Sequence, residues 1–301
     1  MKKKMVALIL TALLLGGCAG NLSHSTDLTA TVSGAVIEKV DISGESYQPQ
    51  NPKQKIAGWN LELLRESFSG EKAEEPYLAV LVSDARQAEV LLNQPGIRRF
   101  YLESDLLLEQ PETFFHLRKT IQGQGKECFL AMPPLFRADK RALFETKETE
   151  RNLTFPDGFL VRNLEELAYL KERVPGAVLI ADANLYSWNQ EARTFLKEQG
   201  FSADTAPLEL NSHELSGRGL SGSELVAYGR AALMLSSQCV KRTTGNCNKK
   251  KEFTFLTDRK GKTFPVWSDC SVCMNIIYNT APLDLSDQEK EIRTLAPAGI
   301  R

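Results

Sequence analysis

Histidine is scarce in this sequence: only His24, His116 and His213 occur among its 301 residues. So few histidines exclude a histidine-rich metal centre and leave few imidazoles that could activate a nucleophile. Charge of one sign is not in excess either, with 37 basic side chains against 38 acidic ones. A balanced chain has no whole-molecule attraction to nucleic acid or to an acidic surface, so any charged partner must be bound locally.

Two common enzyme motifs are also missing. The sequence contains no His-Glu-x-x-His, which disfavours a zinc-type metallopeptidase. No glycine-rich phosphate loop follows the first predicted strand, as a dinucleotide-binding sheet would require. What remains is the composition of an ordinary folded chain, 42% hydrophobic, with six cysteines. Six are too few for a disulfide-dense scaffold, so their positions matter more than their number.

The first eighteen residues resemble a bacterial lipoprotein signal. Lys2–Lys4 precede the apolar stretch Met5–Leu15, which ends in small residues before Cys18. This stretch is shorter than the roughly 20 residues that span a bilayer. The resemblance implies that Cys18 is acylated and that the protein is a membrane-anchored lipoprotein facing away from the cytoplasm. The alternative is a cytoplasmic protein whose signal is not used. Residues 19–76 are predicted to be a tether with one short strand at Ala30–Val40.

From residue 77 onward, strand-like apolar runs alternate with segments of helical periodicity. The predicted strands are Tyr77–Val82, Arg98–Leu102, Cys128–Met132, Gly158–Val161, Ala177–Ala181, Thr205–Leu208 and Glu224–Ala227. The helical segments between them include Ala85–Leu92, Pro111–Gln122, Asn163–Arg173 and Asn189–Gln199. Such alternation requires parallel strand pairing. Because seven such units approach the eight that close a barrel, residues 77–301 are predicted to form a TIM-like (β/α) barrel.

In such barrels, substrates bind at the carboxyl ends of the strands. Polar residues that follow the predicted strands are therefore candidates for a pocket: Arg162, Asp182, Tyr186, Tyr228 and Arg230. Three further polar residues, Asp84, Glu103 and Asn163, stand where helices begin. We expect these three to cap helices, because a side-chain acceptor satisfies free backbone N–H groups there.

Four cysteines follow the seventh predicted strand in one segment, residues 236–285. Seven residues separate Cys239 from Cys247, twenty-two lead on to Cys270, and two lie between Cys270 and Cys273. Thiolates in close pairs suit zinc or an iron–sulfur cluster, and four ligands complete either site. The spacing fits neither a standard zinc ribbon nor the common ferredoxin run, and two disulfides, Cys239–Cys247 and Cys270–Cys273, are the alternative. Cys128, on a predicted strand, is expected to be buried.

The body of the chain resembles the C-terminal half of the collagenase-like peptidases, family U thirty-two. Motifs of that family recur in order from about residue 77 to the end of the chain. The segments that carry the resemblance are Leu160–Leu167, Ala181–Ser187, Ala206–Asn211, Tyr228–Cys239, Thr243–Cys247, Leu256–Val266, Cys270–Asn279 and Pro282–Leu285.

The resemblance implies a TIM-like barrel with an iron–sulfur site, a 4Fe–4S cluster, bound by Cys239, Cys247, Cys270 and Cys273. It also implies a peptidase of unassigned catalytic type that acts on a peptide or protein. Relatives that hydroxylate RNA bases or a quinone precursor without oxygen imply a second function, with RNA or an aromatic ring as the substrate. A non-catalytic binding barrel, anchored to the membrane through Cys18, is a third.

The chain departs from the family pattern at its last strand. In the family, the sequence at Gly299–Arg301 begins another strand, so we expect the barrel to lack its eighth strand. An open barrel would have two unpaired edges, through which copies could associate. The compartments implied by the two motifs also differ, because iron–sulfur clusters are assembled in the reducing cytoplasm whereas the signal directs export. If the signal is used, the alternatives to an iron–sulfur cluster are a zinc ion bound by the four cysteines or disulfides between them.

Overall fold

The computed structural model describes residues 75–301 and four residues nearer the N-terminus, Thr31–Val32 and Ala35–Val36. The predicted signal peptide, Cys18 and most of the predicted tether lie outside these described residues. The chain divides into two compact units, Met1–Leu61 and Glu62–Arg301. In the first unit, β1 (Thr31–Val32) pairs antiparallel with β2 (Ala35–Val36).

The second unit contains a closed barrel of eight parallel strands, which confirms the predicted TIM-like fold. In order around the barrel, the strands are β3 (Tyr77–Val82), β4 (Ile97–Glu103), β5 (Glu127–Ala131), β6 (Gly158–Val161), β7 (Leu179–Ala181), β8 (Phe201–Thr205), β9 (Ser223–Leu225) and β16 (Gly299–Ile300). Strands such as β6 are buried along their whole length, because a parallel barrel is covered on its outer face by helices.

Helices connect the strands around the outside of the barrel, and one helix of four residues, Val240–Thr243, lies in the segment inserted between β9 and β16. They are α1 (Ala85–Leu92), α2 (Ser104–Glu109), α3 (Pro111–Gly123), α4 (Ala138–Phe144), α5 (Lys147–Asn152), α6 (Leu164–Arg173), α7 (Gln190–Glu198), α8 (Ser212–Arg218), α9 (Val240–Thr243) and α10 (Glu289–Leu295). Short 3-10 turns occur at Ala183–Leu185 and Ser286–Gln288. In the part of the chain that the structure describes, no helix combines the length and apolar character needed to cross a bilayer.

Helix caps fix where two of the helices start. The side chain of Asp84 accepts a hydrogen bond from the backbone N–H of Gln87 at 3.0 Å. The side chain of Asn163 accepts one from the N–H of Glu166 at 2.9 Å. Both capping predictions are confirmed, and each residue satisfies an N–H group that the first helical turn leaves free.

The eighth strand is present, so the prediction of an incomplete barrel is wrong. Gly299 on β16 is in register with Tyr77 of β3 on one side and with Glu224 of β9 on the other. A Cβ atom at Gly299 would lie 2.6 Å from the Tyr77 ring, so glycine permits this close approach. A two-residue strand is too short to show periodicity in the sequence. Because the barrel closes, association through unpaired barrel edges loses its basis.

An antiparallel sheet is inserted between the seventh and eighth barrel strands and carries the cysteine segment. Its strands, in spatial order, are β11 (Ala232–Ser236), β14 (Met274–Tyr278), β13 (Thr263–Asp269) and β12 (Glu252–Thr257). Beside it, β10 (Tyr228–Gly229) pairs with β15 (Leu283–Asp284). The predicted position of the four-cysteine segment, after the seventh strand, is therefore confirmed.

Two hydrophobic layers hold the barrel together. Tyr101, Phe129, Leu160 and Ile180 form a cluster with small residues such as Ala79. A larger cluster includes outer-helix residues such as Phe114 and Leu170, and Cys128 is buried in it as expected. The small residues of the first cluster leave room for longer polar side chains, which matters for the site described next.

Candidate functional site

A buried ion-pair network lies at the mouth of the barrel, at the carboxyl ends of its strands. Arg162 follows β6 and Asp182 follows β7, and Nε of Arg162 is 3.1 Å from Oδ2 of Asp182. Both side chains are buried. The structure thus brings together two of the five predicted pocket residues, at the end of the barrel where TIM-barrel enzymes carry their active sites.

Glu103 belongs to the same network. It occupies the position before α2 but makes no side-chain capping bond, so the prediction that it caps this helix is wrong. Instead its two carboxylate oxygens accept hydrogen bonds from Nη1 and Nη2 of Arg162, at 2.9 and 2.8 Å. A bidentate pair with a guanidinium is stronger than a hydrogen bond to a neutral N–H group, which explains why Glu103 pairs with Arg162 and does not cap the helix.

Arg301, directly after β16, completes the network from the other side of the barrel. Its Nη2 lies 2.5 Å from Oδ1 of Asp182 and 3.3 Å from the hydroxyl oxygen of Thr205. Burial alone would raise the pKa of Asp182, but Arg301 and Arg162 outweigh it and lower the pKa to about 2. Asp182 is therefore ionised at neutral pH and holds two arginines at the mouth.

The network continues into the barrel interior through Glu224, which is fully buried. Its Oε1 accepts hydrogen bonds from the Tyr101 hydroxyl at 2.6 Å, from the Tyr77 hydroxyl at 2.8 Å and from Arg99 at 3.1 Å. Burial and the nearby Glu224 raise the pKa of Tyr101 well above its usual value, so this phenol stays a donor. Within residues 75–301, Oε2 of Glu224 and Nη1 of Arg301 have no hydrogen-bond partner, and they lie 3.7 Å apart.

The other three predicted pocket residues lie apart from these ion pairs. Tyr186 is exposed and has a left-handed backbone, with φ of 51°. Tyr228 is exposed on β10, and Arg230 donates hydrogen bonds to the carbonyl oxygens of Asn279 and Thr280. In the described part of the chain, none of the three bonds to Arg162 or Asp182. Their role in a pocket stays a prediction.

Aromatic residues of the inserted sheet adjoin the barrel mouth. The pKa of Tyr278 on β14 is raised to about 12. Burial is the main cause and Glu103 adds to it, while Arg162 opposes the shift. Tyr278 is thus within electrostatic reach of the Glu103–Arg162 pair. Its ring centroid is 6.3 Å from that of Phe253, which in turn is 4.9 Å from Trp267. An aromatic surface therefore extends from the inserted sheet towards the mouth.

The four cysteines occupy different local settings at one end of the inserted sheet. Cys239 is buried immediately before α9, whereas Cys247 and Cys273 are exposed. Cys273 has a left-handed backbone, with φ of 51°. The Cys270 thiol donates a hydrogen bond to the carbonyl oxygen of Lys250, with the sulfur 3.1 Å from that oxygen. All four are free thiols, so neither of the two alternative disulfides is formed.

The four thiols nevertheless influence one another. Burial raises the pKa of Cys270, and the thiols of Cys239, Cys247 and Cys273 raise it further, while Lys241 opposes the shift. Cys239 and Cys273 also line an open pocket of about 510 Å³. Among the described residues, no three or more His, Cys, Asp or Glu side chains are arranged to hold a single metal ion. The structure therefore brings the four thiols into one neighbourhood without a closed single-ion site.

Three residues of the mouth were not identified from the sequence. Arg301 follows a strand of two residues and Glu224 belongs to one of three, and such strands are too short to indicate which side chains point inward. Tyr278 has no signal of its own in the sequence, because its place near the mouth depends on how the inserted sheet folds back. The spacing signal available for Arg162, a polar residue after an apolar run, is absent for Tyr278.

Comparisons with known proteins add a remote structural likeness. No protein-family profile matches the chain, and no curated protein matches it. A crystal structure of a protein assigned as a sporulation-specific glycosylase, ydhD from Bacillus subtilis, is similar over 74% of this chain and 87% of that chain. The two are 9% identical, with a TM-score of 0.21. A likeness at this level carries no argument about function.

Proposed function

We propose that this chain is an iron–sulfur protein of the collagenase-like peptidase family, family U thirty-two, that modifies a flat ring at the mouth of its barrel. The substrate would be an RNA base or a small aromatic ring. The family assignment rests on the sequence motifs. One arrangement supports placing the reaction at the mouth: the sheet that bears the four cysteines also carries Tyr278, which packs against the same cluster as Leu135 of the barrel and is within electrostatic reach of Glu103 and Arg162.

The cysteine site offers the number and kind of ligands that a cluster needs, although among the described residues no three of them are arranged around a single ion. Cys239, Cys247, Cys270 and Cys273 supply four free thiols, the set that holds a 4Fe–4S cluster. Lys241 offsets part of the rise in the pKa of Cys270, which burial and the neighbouring thiols keep above its usual value, so a bound metal would have to stabilise the thiolate form that a ligand requires. When bound, such a cluster would supply electrons or a Lewis-acidic iron. Zinc is the alternative occupant.

The residues of the mouth suit a flat ring with a polar edge. Tyr278 stays a neutral phenol up to a pH of about 12, so its face can stack and its hydroxyl can donate. Arg162 is held by Glu103, Asp182 and the carbonyl oxygen of Met132, which fixes the plane of its guanidinium. A guanidinium fixed in this way can stack on a ring without losing its ion pairs.

Peptide hydrolysis finds less support at this site. His116 on α3 and His213 on α8 are both exposed on outer helices. Among the described residues, neither imidazole is hydrogen-bonded to a carboxylate that would orient it or to a hydroxyl or thiol that it could activate. Peptidase activity therefore remains an implication of the family resemblance, as does the third alternative, a non-catalytic membrane-anchored barrel.

Export with acylation of Cys18 is a separate proposal that rests on the first eighteen residues. Labelling cells with a radioactive fatty acid tests it, with the Cys18→Ser protein as the control. Label in the wild type alone would support the lipoprotein. An unlabelled protein that keeps its N-terminus and is recovered from the soluble cytoplasm would contradict it.

Anaerobic purification followed by iron, sulfide and zinc analysis tests the cysteine site. We expect iron and sulfide in the wild-type protein and their loss in Cys270→Ser. Cys128→Ala is the matched control, because Cys128 is buried on β5, where burial raises the pKa of its thiol to about 12. Unchanged iron in Cys270→Ser, or zinc in place of iron in the wild type, would contradict the cluster. Mass spectrometry of RNA from cells with and without the gene then tests ring hydroxylation, through loss of one oxygen atom from a modified base.

A further inference from the structure

Positive charge is concentrated in one part of the inserted sheet. Residues 239–263 carry eight basic side chains and two acidic ones, whereas the whole chain is balanced at 37 to 38. Two of the eight are used within the protein, since Lys241 pairs with Glu252 at 3.0 Å and Lys251 with Asp105 at 3.1 Å. The remaining six are exposed and form no ion pair with any residue that the structure describes: Arg242, Lys249, Lys250, Arg259, Lys260 and Lys262. Their charge is available to a partner.

Two phenylalanines stand exposed between these charges. Phe253 is 56% exposed and Phe255 is 65% exposed, and both point to the same face of β12. This strand forms the edge of the inserted sheet, so only β13 pairs with it. Arg242, on α9, and Lys249 and Lys250 precede the strand, and Arg259, Lys260 and Lys262 follow it at the turn into β13. Exposed phenyl rings on a cationic hairpin are costly in water unless a partner covers them.

The aromatic face continues from the hairpin to the barrel mouth. Phe253 lies 4.9 Å from Trp267 and 6.3 Å from Tyr278, measured between ring centroids. Tyr278 is within electrostatic reach of Glu103 and Arg162. Over β14 the same face is covered, since Leu135 from the barrel packs against a cluster that includes Ile276. The exposed part of the face therefore lies on the hairpin, and Trp267 and Tyr278 join it to the covered part next to the barrel.

We propose that the hairpin β12–β13 is a binding surface for single-stranded RNA, with bases stacked on Phe253 and Phe255 and phosphates bound by the six free basic residues. Cationic side chains interleaved with exposed aromatic rings are what a single strand requires, because phosphates need charge and unpaired bases need a flat partner. The strand β12 with its flanking basic residues spans roughly 30 Å. This length suits a single-strand site of the usual size, about 4–16 nucleotides.

An anionic membrane is the competing partner for basic and aromatic residues. The face argues for RNA, because its rings lie along the edge strand β12 and next to Trp267 rather than at the tip of the hairpin. The tip itself, Asp258–Lys262, has no aromatic side chain to insert into lipid. The inference deepens the proposed function by specifying where its RNA substrate is held.

Fluorescence anisotropy with a labelled oligouridine of twelve nucleotides tests the surface, using the full chain purified without oxygen. We expect the wild type to bind, and each of Phe253→Ala and Phe255→Ala to weaken binding about tenfold, because stacked bases lose their platform. Phe195→Ala is the matched control, since Phe195 is a similarly exposed phenylalanine on α7. It should bind as the wild type does.

The salt dependence of binding tests the contribution of the basic residues. The double variant Lys260→Ala, Lys262→Ala should lower the slope of log affinity against log salt concentration by about 0.7 for each lost phosphate contact. Wild-type protein that does not bind the oligonucleotide at low salt would overturn the proposal. So would unchanged affinity in both phenylalanine variants, or binding to phosphatidylserine vesicles but not to RNA. Iron content reports on the cysteines and anisotropy on the hairpin, so either proposal can fail while the other stands.

Discussion

The ammonium group of Lys140 lies 3.0 Å from the carboxylate of Asp269, and both side chains are only 2% exposed. Lys140 is on α4 of the barrel, while Asp269 ends β13 immediately before Cys270. Lys140 also contacts Asp105 at 2.8 Å, and Lys251 lies 3.2 Å from Asp269. The pair therefore fastens the inserted sheet to the barrel wall at the start of the Cys270–Cys273 turn.

Replacing Lys140 with methionine should destabilise the protein by about 3 kcal/mol, because the buried Asp269 then loses one of its two cations. Urea denaturation of the purified protein measures the change. Lys119→Met, at an exposed position on α3, is the matched control and should alter the free energy of unfolding by less than about 0.5 kcal/mol. Equal stability of the two variants would mean that Lys251 alone neutralises Asp269.

Closure of the barrel at Gly299 gives a second prediction. Gly299→Ala would place a methyl group 2.6 Å from the Tyr77 ring, so we expect a loss of about 1–3 kcal/mol through overpacking. Gly217→Ala is the control, since nothing lies within 4 Å of a Cβ atom there. It should be neutral or stabilise by up to about 1 kcal/mol, because alanine favours a helix more than glycine does. Thermal unfolding of both variants decides whether β16 is packed as described.

The sequence predicted those parts of the fold that have strong local periodicity. The bounds of α1 and β3 agree with prediction, because each has a clear apolar pattern. The sixth barrel strand was placed at Thr205–Leu208, whereas the structure has β8 at Phe201–Thr205. Asp204 interrupts the apolar pattern of β8, and the partner that neutralises its charge is Arg218 on α8. Such a long-range ion pair cannot be read from local hydrophobicity.

The candidate site was predictable to the extent that its residues follow strands. Arg162 and Asp182 stand after well-defined apolar runs, so their convergence could be expected from the geometry of a parallel barrel. Arg301 could not be identified, because β16 was not recognised. Tyr278 reaches the mouth only through the packing of the inserted sheet, which depends on contacts such as the pair between Lys140 and Asp269 rather than on local pattern.

The interior of the barrel gives a third prediction. Glu224→Leu should cost about 3–5 kcal/mol, because it leaves the buried guanidinium of Arg99 without this carboxylate and removes the acceptor of two tyrosine hydroxyls. Tyr101→Phe removes only one donor and should cost about 1–2 kcal/mol. Chemical denaturation of both variants measures the ratio. A cost for Tyr101→Phe as large as that for Glu224→Leu would show that the phenol, rather than the charge, holds the interior together.

The last prediction concerns acid stability and depends on Asp182. Its pKa is about 2 in the folded protein, against about 3.9 in an unfolded chain. Because the folded state holds this proton less tightly, Asp182 contributes stability above a pH of about 4, and the contribution is lost as the pH falls towards 2. The whole shift corresponds to about 2–3 kcal/mol. Other carboxylates titrate in the same range, so the wild-type curve alone does not isolate the effect.

The difference between wild type and Asp182→Asn isolates it. This difference in the free energy of unfolding should be constant between pH 7 and pH 5 and should shrink by about 2 kcal/mol as the pH falls towards 2. Asp287→Asn, at an exposed position, should give no such pH-dependent difference. Urea denaturation at a series of pH values measures all three proteins. A difference for Asp182→Asn that stays constant down to pH 3 would contradict the prediction and mean that Arg162 and Arg301 do not depend on the charge of Asp182.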